Sequence, residues 1–378
     1  MPYDVIVVGA GPAGSSAAHA AADAGAGVLV LDRATFPRYK TCGGGLIGPT
    51  LAALPQDLQL PSRAEIHRAT LTLAGGRWAD RRSDRRLLRL VDRASFDHAL
   101  LRSAEAAGAQ THEGVTVTGV EQDEDLVTLQ TSEGPLTAHY VIGADGSASR
   151  VARHVGVRTD GVDLGLEVEL ETGDQAHRWE GRVHLDWGAD PGTYAWVFPK
   201  GDTLTVGVIQ SRGHAAATRA YLARFVTDMG LSGLREIQSS GHLTRCRTVD
   251  SPLSRGRVLV AGDAAGLLEP WTREGISYAV RSGRFAGRSV GADGADGADP
   301  AGVRAAYDAA VASTLAREMA AGRIALRAFE RSPALMHHIV ARTGRGWREF
   351  GRLTGGDATL ADALEHRSVR WGLRAVGR

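Results

Sequence analysis

The first residues of the chain, YDVIVVGAGPAG at residues 3–14, decide its fold. The run at residues 3–8 is short and almost continuously apolar, as expected of a parallel strand that is buried on both faces. Glycines follow it, the alanine-rich residues 13–24 predict a helix, and residues 28–31 predict a second buried strand. This order predicts a Rossmann-type strand–helix–strand unit, which is typical of dinucleotide binding.

Three glycines in this unit match the spacing G-x-G-x-x-G. Gly9 permits a tight turn, Gly11 lets a pyrophosphate approach the backbone, and Gly14 lets the helix pack closely on the strand. The helix then directs free N–H groups and the positive end of its dipole at the phosphates. Asp32 ends the second strand, where its carboxylate can accept hydrogen bonds from the adenosine ribose. The residues predicted to bind the dinucleotide in this unit are Gly9, Gly11, Pro12, Ala13, Gly14, Asp32 and Arg33.

A second match to the same spacing occurs at residues 43–48, GGGLIG. It follows FPRYK at residues 36–40, which does not have the pattern of a strand. The fingerprint requires a strand before it and a helix after it. We therefore predict a single dinucleotide site in the chain.

Two further glycine turns each follow a predicted buried strand, VIGADG at residues 141–146 and VAGDAAG at residues 260–266. Each carries one acid at the end of its strand, Asp145 or Asp263, which can hold ribose or ribityl hydroxyls; taken singly, such a turn is more often an ordinary turn. A helix predicted to begin at Gly275 can face a flavin pyrimidine carbonyl with its N-terminus. The three glycine motifs in this order favour FAD over NAD. They add to the predicted cofactor site Asp145, Gly262, Asp263, Gly275 and Ile276.

The composition sets the class of protein. The chain has 378 residues, of which 43% are hydrophobic, and a formal net charge of +1 that gives no general attraction to nucleic acid. Two cysteines, Cys42 and Cys246, do not make a disulfide framework, and the histidines show no metal-ligand spacing. The sequence shows neither a signal peptide nor a run of about 18 apolar residues. These features predict a cytoplasmic protein without a metal site.

The remaining pattern predicts an α/β protein, α+β overall, in three parts. Strand patterns at residues 66–90 and 164–209 predict a second, antiparallel sheet inserted into the nucleotide-binding domain. The Gly-Ala-Asp repeat at residues 291–300 predicts a flexible loop. The predicted parts are an FAD-binding domain at residues 1–60, 91–160 and 250–290, a β-sheet substrate domain at residues 61–90 and 161–249, and a helical C-terminal region at residues 301–378.

The ordered glycine motifs resemble those of the para-hydroxybenzoate-hydroxylase-like FAD superfamily over about residues 1–290. The segment VDRASFD at residues 91–97 also matches that superfamily. The resemblance implies that the turn at Asp263 contacts the flavin ribityl chain, that Arg93 reaches the cofactor, and that Val117 offers a backbone contact to the adenine. The alternative interpretation of Arg93 is a solvated residue at a helix start, where a cation gains nothing from the helix dipole.

Two further segments resemble the geranylgeranyl reductase family, PRYKTCGGGL at residues 37–46 and PGTYAWVFPK at residues 191–200. That family has a Cys-Gly-Gly segment after its first strand–helix–strand unit and a Tyr-x-Trp-x-Phe-Pro strand in its substrate domain. The resemblance implies an FAD-dependent reductase that saturates carbon–carbon double bonds of an isoprenoid, with NAD(P)H as the electron source or an electron-donating reductase as a partner. The residues that it implies at the site are the catalytic Cys42, Tyr194 and Trp196 and the cofactor-binding Gly43 and Gly44.

The chemistry of these residues agrees with that function and leaves alternatives open. Tyr194, Trp196 and Phe198 alternate along a predicted strand, so they share one face and suit an apolar chain; plain core packing explains the spacing equally well. Cys42 can be a proton donor or a steric guide near the flavin, or an inert buried cysteine. Lys40 and Arg38 can meet a diphosphate or lie in solvent. The residues predicted to bind substrate are Lys40, Tyr194, Trp196, Phe198, Trp271 and Arg273.

One position departs from the family pattern. The family has Gly-Glu-Gly-Ile where this chain has Arg273-Glu274-Gly275-Ile276. A long cation at residue 273 can bind substrate or block movement of the flavin. This departure puts a standard polyprenyl substrate in question.

The main alternative function is an FAD-dependent monooxygenase or halogenase of a secondary metabolite, because the superfamily includes both classes. Halogenases carry a Trp-x-Trp-x-Ile-Pro strand, and the form YAWVFP at residues 194–199 argues against one. A non-catalytic flavin-binding protein is the remote alternative. The product separates the enzymes, because a monooxygenase or halogenase adds oxygen or halogen and a reductase adds hydrogen.

Arginines recur through the C-terminal region with large aromatic side chains between them. This pattern suits an amphipathic surface on the inner face of an anionic membrane, where prenyl lipids reside. The favoured interpretation is a set of helices that pack on the domain with their arginines in solvent. The residues are Arg342, Arg345, Arg348, Arg352, Arg367, Arg370, Arg374 and Arg378, with Trp347, Phe350 and Trp371 between them.

Overall fold

The computed structural model describes residues 2–188, 190, 192–211, 214–292 and 299–365. Its strands, in chain order, are β1 (Tyr3–Val8), β2 (Val28–Asp32), β3 (Gly45–Leu46), β4 (Ser62–Ile66), β5 (Arg68–Leu73), β6 (Gly76–Arg82), β7 (Leu88–Val91), β8 (Gln110–Glu113), β9 (Val117–Gln122), β10 (Val127–Thr131), β11 (Gly134–Gly143), β12 (Thr159–Glu171), β13 (Arg182–Trp187), β14 (Tyr194–Pro199), β15 (Thr203–Ser211), β16 (Glu236–Arg247), β17 (Ser254–Arg255) and β18 (Val258–Val260). Its α-helices are α1 (Pro12–Asp23), α2 (Gly48–Ala53), α3 (Arg93–Ala106), α4 (Arg150–Val155), α5 (Ala176–Trp179), α6 (Ala215–Asp228), α7 (Ile276–Gly291), α8 (Pro300–Val311), α9 (Arg317–Arg331), α10 (Pro333–His337), α11 (Gly344–Gly355) and α12 (Leu360–Glu365).

The predicted N-terminal strand–helix–strand unit is confirmed as β1, α1 and β2. β1 lies inside an eight-stranded sheet with the order β17-β18-β11-β1-β2-β8, and β10 and β9 are attached to it at β11. The pairs from β18 to β8 are parallel, so the carboxyl ends of these strands meet at one edge of the sheet. Sheets of this kind bind their ligands at that edge.

Helices α1 and α7 pack in direct backbone contact beside this sheet. Gly283 and Gly287 of α7 lie so close to the carbonyl groups of Ala13 and Ala17 that a Cβ at either glycine would overlap them. The two contacts occur in the same order along both helices, so α1 and α7 run parallel. Both N-termini therefore point to the carboxyl edge of the sheet, where their unpaired N–H groups are available to a ligand.

A second sheet of seven strands has the order β16-β12-β15-β14-β13-β5-β6. Its pairs are antiparallel, as predicted, apart from the parallel pair of β5 and β13. Leu222 and Phe225 of α6 cover one face and pack against Ala195 and Val197 of β14. Because side chains alternate along a strand, Trp196 and its neighbours at every second position face the other side.

Some elements differ from the sequence-based expectation. Residues 164–209, predicted as strands and turns, also contain α5, which is too short to show a helical period. The edge strands β8 and β16 are not predicted, because their mainly polar residues show no apolar alternation. Within residues 61–90, β5 and β6 join the second sheet, whereas β4 and β7 form a separate three-stranded sheet with β3. The domain boundaries stay predictions, and the predicted loop at residues 291–300 lies mainly outside the described residues.

Helices α10 and α11 pack on the second sheet, whereas α8 packs against α7 and the first sheet. Trp347 of α11 is buried, and its indole N–H donates to the Arg82 carbonyl at 2.8 Å. Arg342 donates to the carbonyl of Trp78 at 3.0 Å. These contacts agree with the favoured interpretation of the arginine-rich region; membrane contact stays a prediction, and residues 366–378 lie outside the described part of the chain. No helix within the described ranges is long and apolar enough to cross a bilayer.

Candidate cofactor and substrate site

The glycine turn after β1 is tightly closed by its own backbone. Gly9 has a φ of +100°, and a Cβ at this position would overlap the carbonyl of Ala144. A Cβ at Gly14 would overlap the carbonyl oxygen of Gly9, so strand, turn and helix fit together only with glycine at both positions. Gly11 caps α1 without a side chain and leaves the first-turn N–H groups accessible. The turn is therefore a cradle of the shape and polarity that phosphates need.

Arg38 brings a positive charge to this cradle. Its Nη2 lies 3.4 Å from the place that a Cβ on Gly11 would take. Its Nη1 is 3.3 Å from the Asp97 carboxylate and is buried without a well-formed hydrogen bond among the described residues. A guanidinium with spare donors beside a helix N-terminus fits the diphosphate of a dinucleotide. The residues present at this edge therefore fit FAD.

Asp32, at the end of β2, hydrogen-bonds to the backbone of the glycine turn. Its Oδ2 accepts a hydrogen bond from the N–H of Ala10 at 2.7 Å. The N–H of Val115 donates to the carbonyl of Asp32 at 2.9 Å, which brings Val117 to the same edge of the sheet. Arg33 is exposed beside it. A carboxylate in this position keeps further lone pairs for ribose hydroxyls, so the contacts predicted for Asp32, Arg33 and Val117 remain compatible predictions.

The acids of the other two glycine turns have different partners. Asp145 accepts the Arg150 N–H at 2.8 Å and so caps α4, and burial raises the pKa of Asp145. The Oδ2 atom of Asp263 lies 3.4 Å from Nε2 of His242. Burial by itself would raise the pKa of Asp263, but the bond to His242 and the charge of Lys40 bring it below its ordinary value. Of these two acids, Asp263 is therefore the more readily ionised.

The glycines around α7 shape the backbone there. Gly262 has a φ of +56°, a Cβ on it would lie 2.8 Å from the Cβ of Ala13, and its N–H donates to the Ser282 hydroxyl at 2.9 Å. Gly275 caps the N-terminus of α7, as predicted, and the side chain of Ile276 is buried. Because Gly275 has no side chain, the groups that the start of α7 can offer to a cofactor are its main-chain N–H groups.

Arg93 is buried because it has an acidic partner one helical turn away. Its Nε and Nη2 donate to the two carboxylate oxygens of Asp97 at 2.8 and 2.9 Å, and Cys42 lies close enough to affect its pKa. Burial alone would lower the pKa of Arg93, but Asp97 and Cys42 raise it overall. The solvated alternative for Arg93 is wrong, and its direct contact with the cofactor stays a prediction.

The Cys-Gly-Gly segment is held from several sides. The Cys42 N–H donates to Oε1 of Glu167 at 2.7 Å, and the Val91 N–H donates to the carbonyl of Gly44 at 3.0 Å. Gly44 has a φ of +72°, and a Cβ there would overlap the Val91 carbonyl. Glu167 is 1% exposed, and burial raises its pKa. These contacts fix the backbone of the segment between β12 of the second sheet and β7 of the three-stranded sheet.

The aromatic residues of β14 contact this segment directly. A Cβ on Gly43 would lie 2.8 Å from Cδ2 of Phe198 and 3.1 Å from Nε1 of Trp196. The ring centroid of Trp196 is 5.7 Å from that of Tyr194 and 6.3 Å from that of Phe198. The three rings therefore share one face, as predicted, and we call Tyr194, Trp196 and Phe198 the aromatic row.

Further aromatic rings continue this row beyond Tyr194. Trp187 lies opposite Tyr194 in the pairing of β13 and β14. Trp271 stacks on Trp187 with centroids 5.8 Å apart and planes at 15°, and Phe329 of α9 packs 5.0 Å from Trp187. We call Trp187, Trp271 and Phe329 the end cluster. Trp271 is predicted from the sequence; the other two come from separate elements that only the tertiary structure brings together.

Arg273 lies beside the end cluster, and its charge is paired. Its Nε donates to Oδ2 of Asp163 at 2.9 Å, and its Nη1 donates to the Trp271 carbonyl at 2.7 Å. It therefore links its loop to β12, and contact with substrate through its other N–H groups stays a prediction. Lys40 lies elsewhere, near Asp263, and burial lowers its pKa.

Comparison with known proteins identifies the family. A family model described as an FAD binding domain matches residues 2–292. Digeranylgeranylglycerophospholipid reductase 1 of Methanopyrus kandleri is 34% identical over 306 residues, which cover 76% of this chain and 80% of that protein. The chain belongs to the geranylgeranyl reductase family of FAD-dependent oxidoreductases. The menaquinone reductase of Mycobacterium tuberculosis is 31% identical to this reductase, over 75% of each chain.

A solved structure shares the whole fold of this reductase. The geranylgeranyl bacteriochlorophyll reductase-like protein of Thermoplasma acidophilum matches it with a TM-score of 0.81 and 22% identity, over 96% of this chain and 98% of that one. At that identity the match shows the fold alone. It extends beyond residue 292, where the family model ends, so the C-terminal helices are part of the common fold.

Several residues of the reductase's site could not be predicted from the sequence. Glu167 alternates with apolar residues along β12, which is typical of a solvent-facing residue, yet it is buried under Cys42. Lys200 is 2% exposed, and its Nζ lies 3.4 Å from the place of a Cβ on Gly44. Of these residues, only Asp97 could have been recognised in the sequence. It lies four residues after Arg93 on a predicted helix, a spacing at which opposite charges pair.

We expect Glu274 to make the stability of the reductase depend on pH. Burial raises its pKa to about 7, partly offset by a hydrogen bond from the Ser277 N–H. An acid whose pKa is raised on folding stabilises the folded state at low pH and loses that contribution as pH rises through its folded pKa. Between about pH 5 and pH 8 we therefore expect the free energy of unfolding to fall by roughly 2–3 kcal/mol through Glu274.

Urea unfolding at both pH values checks this expectation. A Glu274→Gln variant keeps an acceptor for Ser277 and should show a much flatter pH dependence than the wild type. Asp57→Asn, at an exposed carboxylate, is the control and should keep the wild-type slope. An unchanged slope in Glu274→Gln would contradict the assignment.

Proposed function

We propose that this reductase saturates carbon–carbon double bonds of an isoprenoid substrate. The contact between the aromatic row and Gly43 carries the proposal, because it sets an apolar surface against the segment that lies next to the dinucleotide cradle. Rings aligned in this way suit a long apolar chain better than a polar ligand. FAD, when bound and reduced, supplies the hydride for such a reaction.

The protein's own residues bind, orient and exclude water. The cradle of Gly9, Gly11 and Gly14, with Arg38, suits the diphosphate of FAD. Arg93 and Glu167 hold the Cys42 segment in one position. Because the Cys42 segment and the aromatic row are both held in place, they can orient an isoprenoid chain for reaction and leave little room for water.

Saturation of a double bond also needs a proton. The Tyr194 hydroxyl donates to the Thr272 carbonyl, and burial raises the pKa of Tyr194, so this proton is already held by a fixed acceptor. The Cys42 sulfur instead accepts a hydrogen bond from the Gly44 N–H at 3.4 Å, and the positive charge of Arg93 lies nearby. We propose Cys42 Sγ as the group that delivers the proton, with Tyr194 and Trp196 orienting the chain.

NAD(P)H is the electron source that we propose. The described part of the chain has one glycine cradle of the strand–helix–strand type, and we assign that cradle to FAD. NAD(P)H would therefore bind transiently at another place in order to reduce the flavin. Bleaching of the bound flavin by NADPH without oxygen supports direct reduction. Bleaching that needs an added reductase points to a partner protein instead.

A Gly43→Ala variant tests the contact that carries the proposal. The added Cβ would lie 2.8 Å from Phe198, which is too close, so the segment or the aromatic row must shift. Because shifts of about 1 Å can cost on the order of 100-fold in rate, we expect kcat for a geranylgeranyl substrate to fall at least about 10-fold. FAD content, measured from flavin absorbance, separates this loss from a loss of cofactor, because Gly43 is also predicted to contact FAD.

Gly161→Ala is the matched control, because nothing lies within 4 Å of the Cβ that it would add. It should turn over like the wild type. Full turnover by Gly43→Ala would show that the row and the segment do not bound the reacting chain.

A further inference from the structure

Arg273 has a backbone conformation that an arginine rarely adopts. Its φ is +53°, in the left-handed region, where a Cβ costs free energy that glycine avoids. The side chain is only 10% exposed. A residue persists in such a conformation when its surroundings hold it there, and such positions cluster at functional sites.

The contacts of Arg273 join two parts of the molecule. Its Nε bonds to Asp163 of β12, in the second sheet, while Arg273 itself lies in the loop before α7 of the nucleotide-binding part. The same loop is fixed to β14 by the hydrogen bond from the Tyr194 hydroxyl to the Thr272 carbonyl. Arg273 therefore fastens this loop across the gap between the two sheets.

The fastened loop carries Trp271 into the end cluster. The Nη1 of Arg273 holds the Trp271 carbonyl at 2.7 Å, and the indole of Trp271 stacks on Trp187. Trp187 is 7% exposed and Phe329 is 2% exposed, so the cluster is filled. A chain that lies along the aromatic row from Phe198 towards Tyr194 meets this cluster at the end of the row.

We propose that Arg273 limits the length of the isoprenoid that the site accepts, by fastening Trp271 across the end of the aromatic row. The proposal rests on the proposed function for the class of ligand. A short isoprenoid fits along the row, whereas a long one must displace Trp271. Loss of the fastening should favour long chains over short ones.

Two variants separate the fastening from the backbone strain. Arg273→Gly removes the side chain and relieves the left-handed strain together. Asp163→Asn keeps Arg273 and its backbone but weakens the link to β12. Arg77→Gly is the matched control, because Arg77 has a φ of +50° and an exposed side chain at the start of β6, the edge strand of the second sheet.

The test measures binding of geraniol and geranylgeraniol to the FAD-loaded protein by calorimetry, without turnover. For Arg273→Gly we expect the Kd of geranylgeraniol, relative to that of geraniol, to fall at least about 10-fold. Asp163→Asn should shift the ratio in the same direction, and Arg77→Gly should leave it within about 2-fold of the wild type. Tryptophan fluorescence should change in Arg273→Gly, because Trp271 leaves its stack.

An unchanged ratio of the two Kd values in FAD-loaded Arg273→Gly and Asp163→Asn overturns the proposal. Failure of every variant to bind either alcohol overturns it as well. The proposed function fails in a different way, when reduced flavin is not reoxidised by any prenyl alkene. In a further outcome, the variants bind both alcohols with the expected Kd ratios while the reduced protein reduces neither alcohol. That result would support the limit on chain length and contradict the proposed function.

Discussion

A Gly14→Ala variant is expected to fold poorly and to be isolated without FAD. The added Cβ would overlap the carbonyl oxygen of Gly9, which is main chain and has no rotamer to escape into. Gly9 is itself held by its contact with Ala144, so the turn has nowhere to move. The first turn of α1 must then move away from β1, and its N–H groups leave the phosphate position.

We expect the affinity for FAD to fall at least about 100-fold, which corresponds to roughly 2.7 kcal/mol. Titration of the apoprotein with FAD, followed by flavin fluorescence, measures the change. Gly233→Ala is the control, because nothing lies within 4 Å of the Cβ that it would add. Wild-type FAD affinity in Gly14→Ala would contradict the position assigned to the cradle.

An Arg93→Ala variant is expected to lose about 3–5 kcal/mol of stability, because it leaves the buried charge of Asp97 without its main partner. The Asp97 side chain is 0% exposed, and Arg38 at 3.3 Å offers only a partial replacement. The Cys42 thiol loses its contact with the guanidinium at the same time. Urea unfolding of the FAD-loaded protein measures the loss.

A double variant separates the buried pair from a general packing defect. Arg93→Met with Asp97→Leu removes both charges and keeps apolar volume, so most of the lost stability should return. A double variant as unstable as Arg93→Ala would show that packing, rather than the unpaired charge, causes the loss. A low turnover in a stable double variant would indicate that Arg93 also positions Cys42.

The nucleotide-binding edge could be predicted from the sequence because its requirements are local. The run at residues 3–14 encodes the strand, the turn and the helix start in consecutive residues, and each glycine there has a steric reason. The alternation of Tyr194, Trp196 and Phe198 likewise predicts their shared face, because side chains alternate along any strand.

The contacts that hold the site together could not be predicted in this way. Glu167 lies 125 residues after Cys42 in the chain, and its alternation with apolar neighbours is typical of an exposed residue. Trp187 and Phe329 meet Trp271 only because three separate elements pack together. The sequence marks Arg273 as unusual, but its partner Asp163 is visible only in the structure.

The most direct test of the proposed reductase activity is the mass of the product formed without oxygen. The FAD-loaded protein, reduced anaerobically, is mixed with a geranylgeranyl substrate while flavin absorbance is followed. We predict that the flavin is reoxidised and that the product is heavier by a pair of hydrogens for each double bond saturated. A flavin that stays reduced with every prenyl alkene, and yields an oxygenated or halogenated product only when air is admitted, would contradict the proposed reductase.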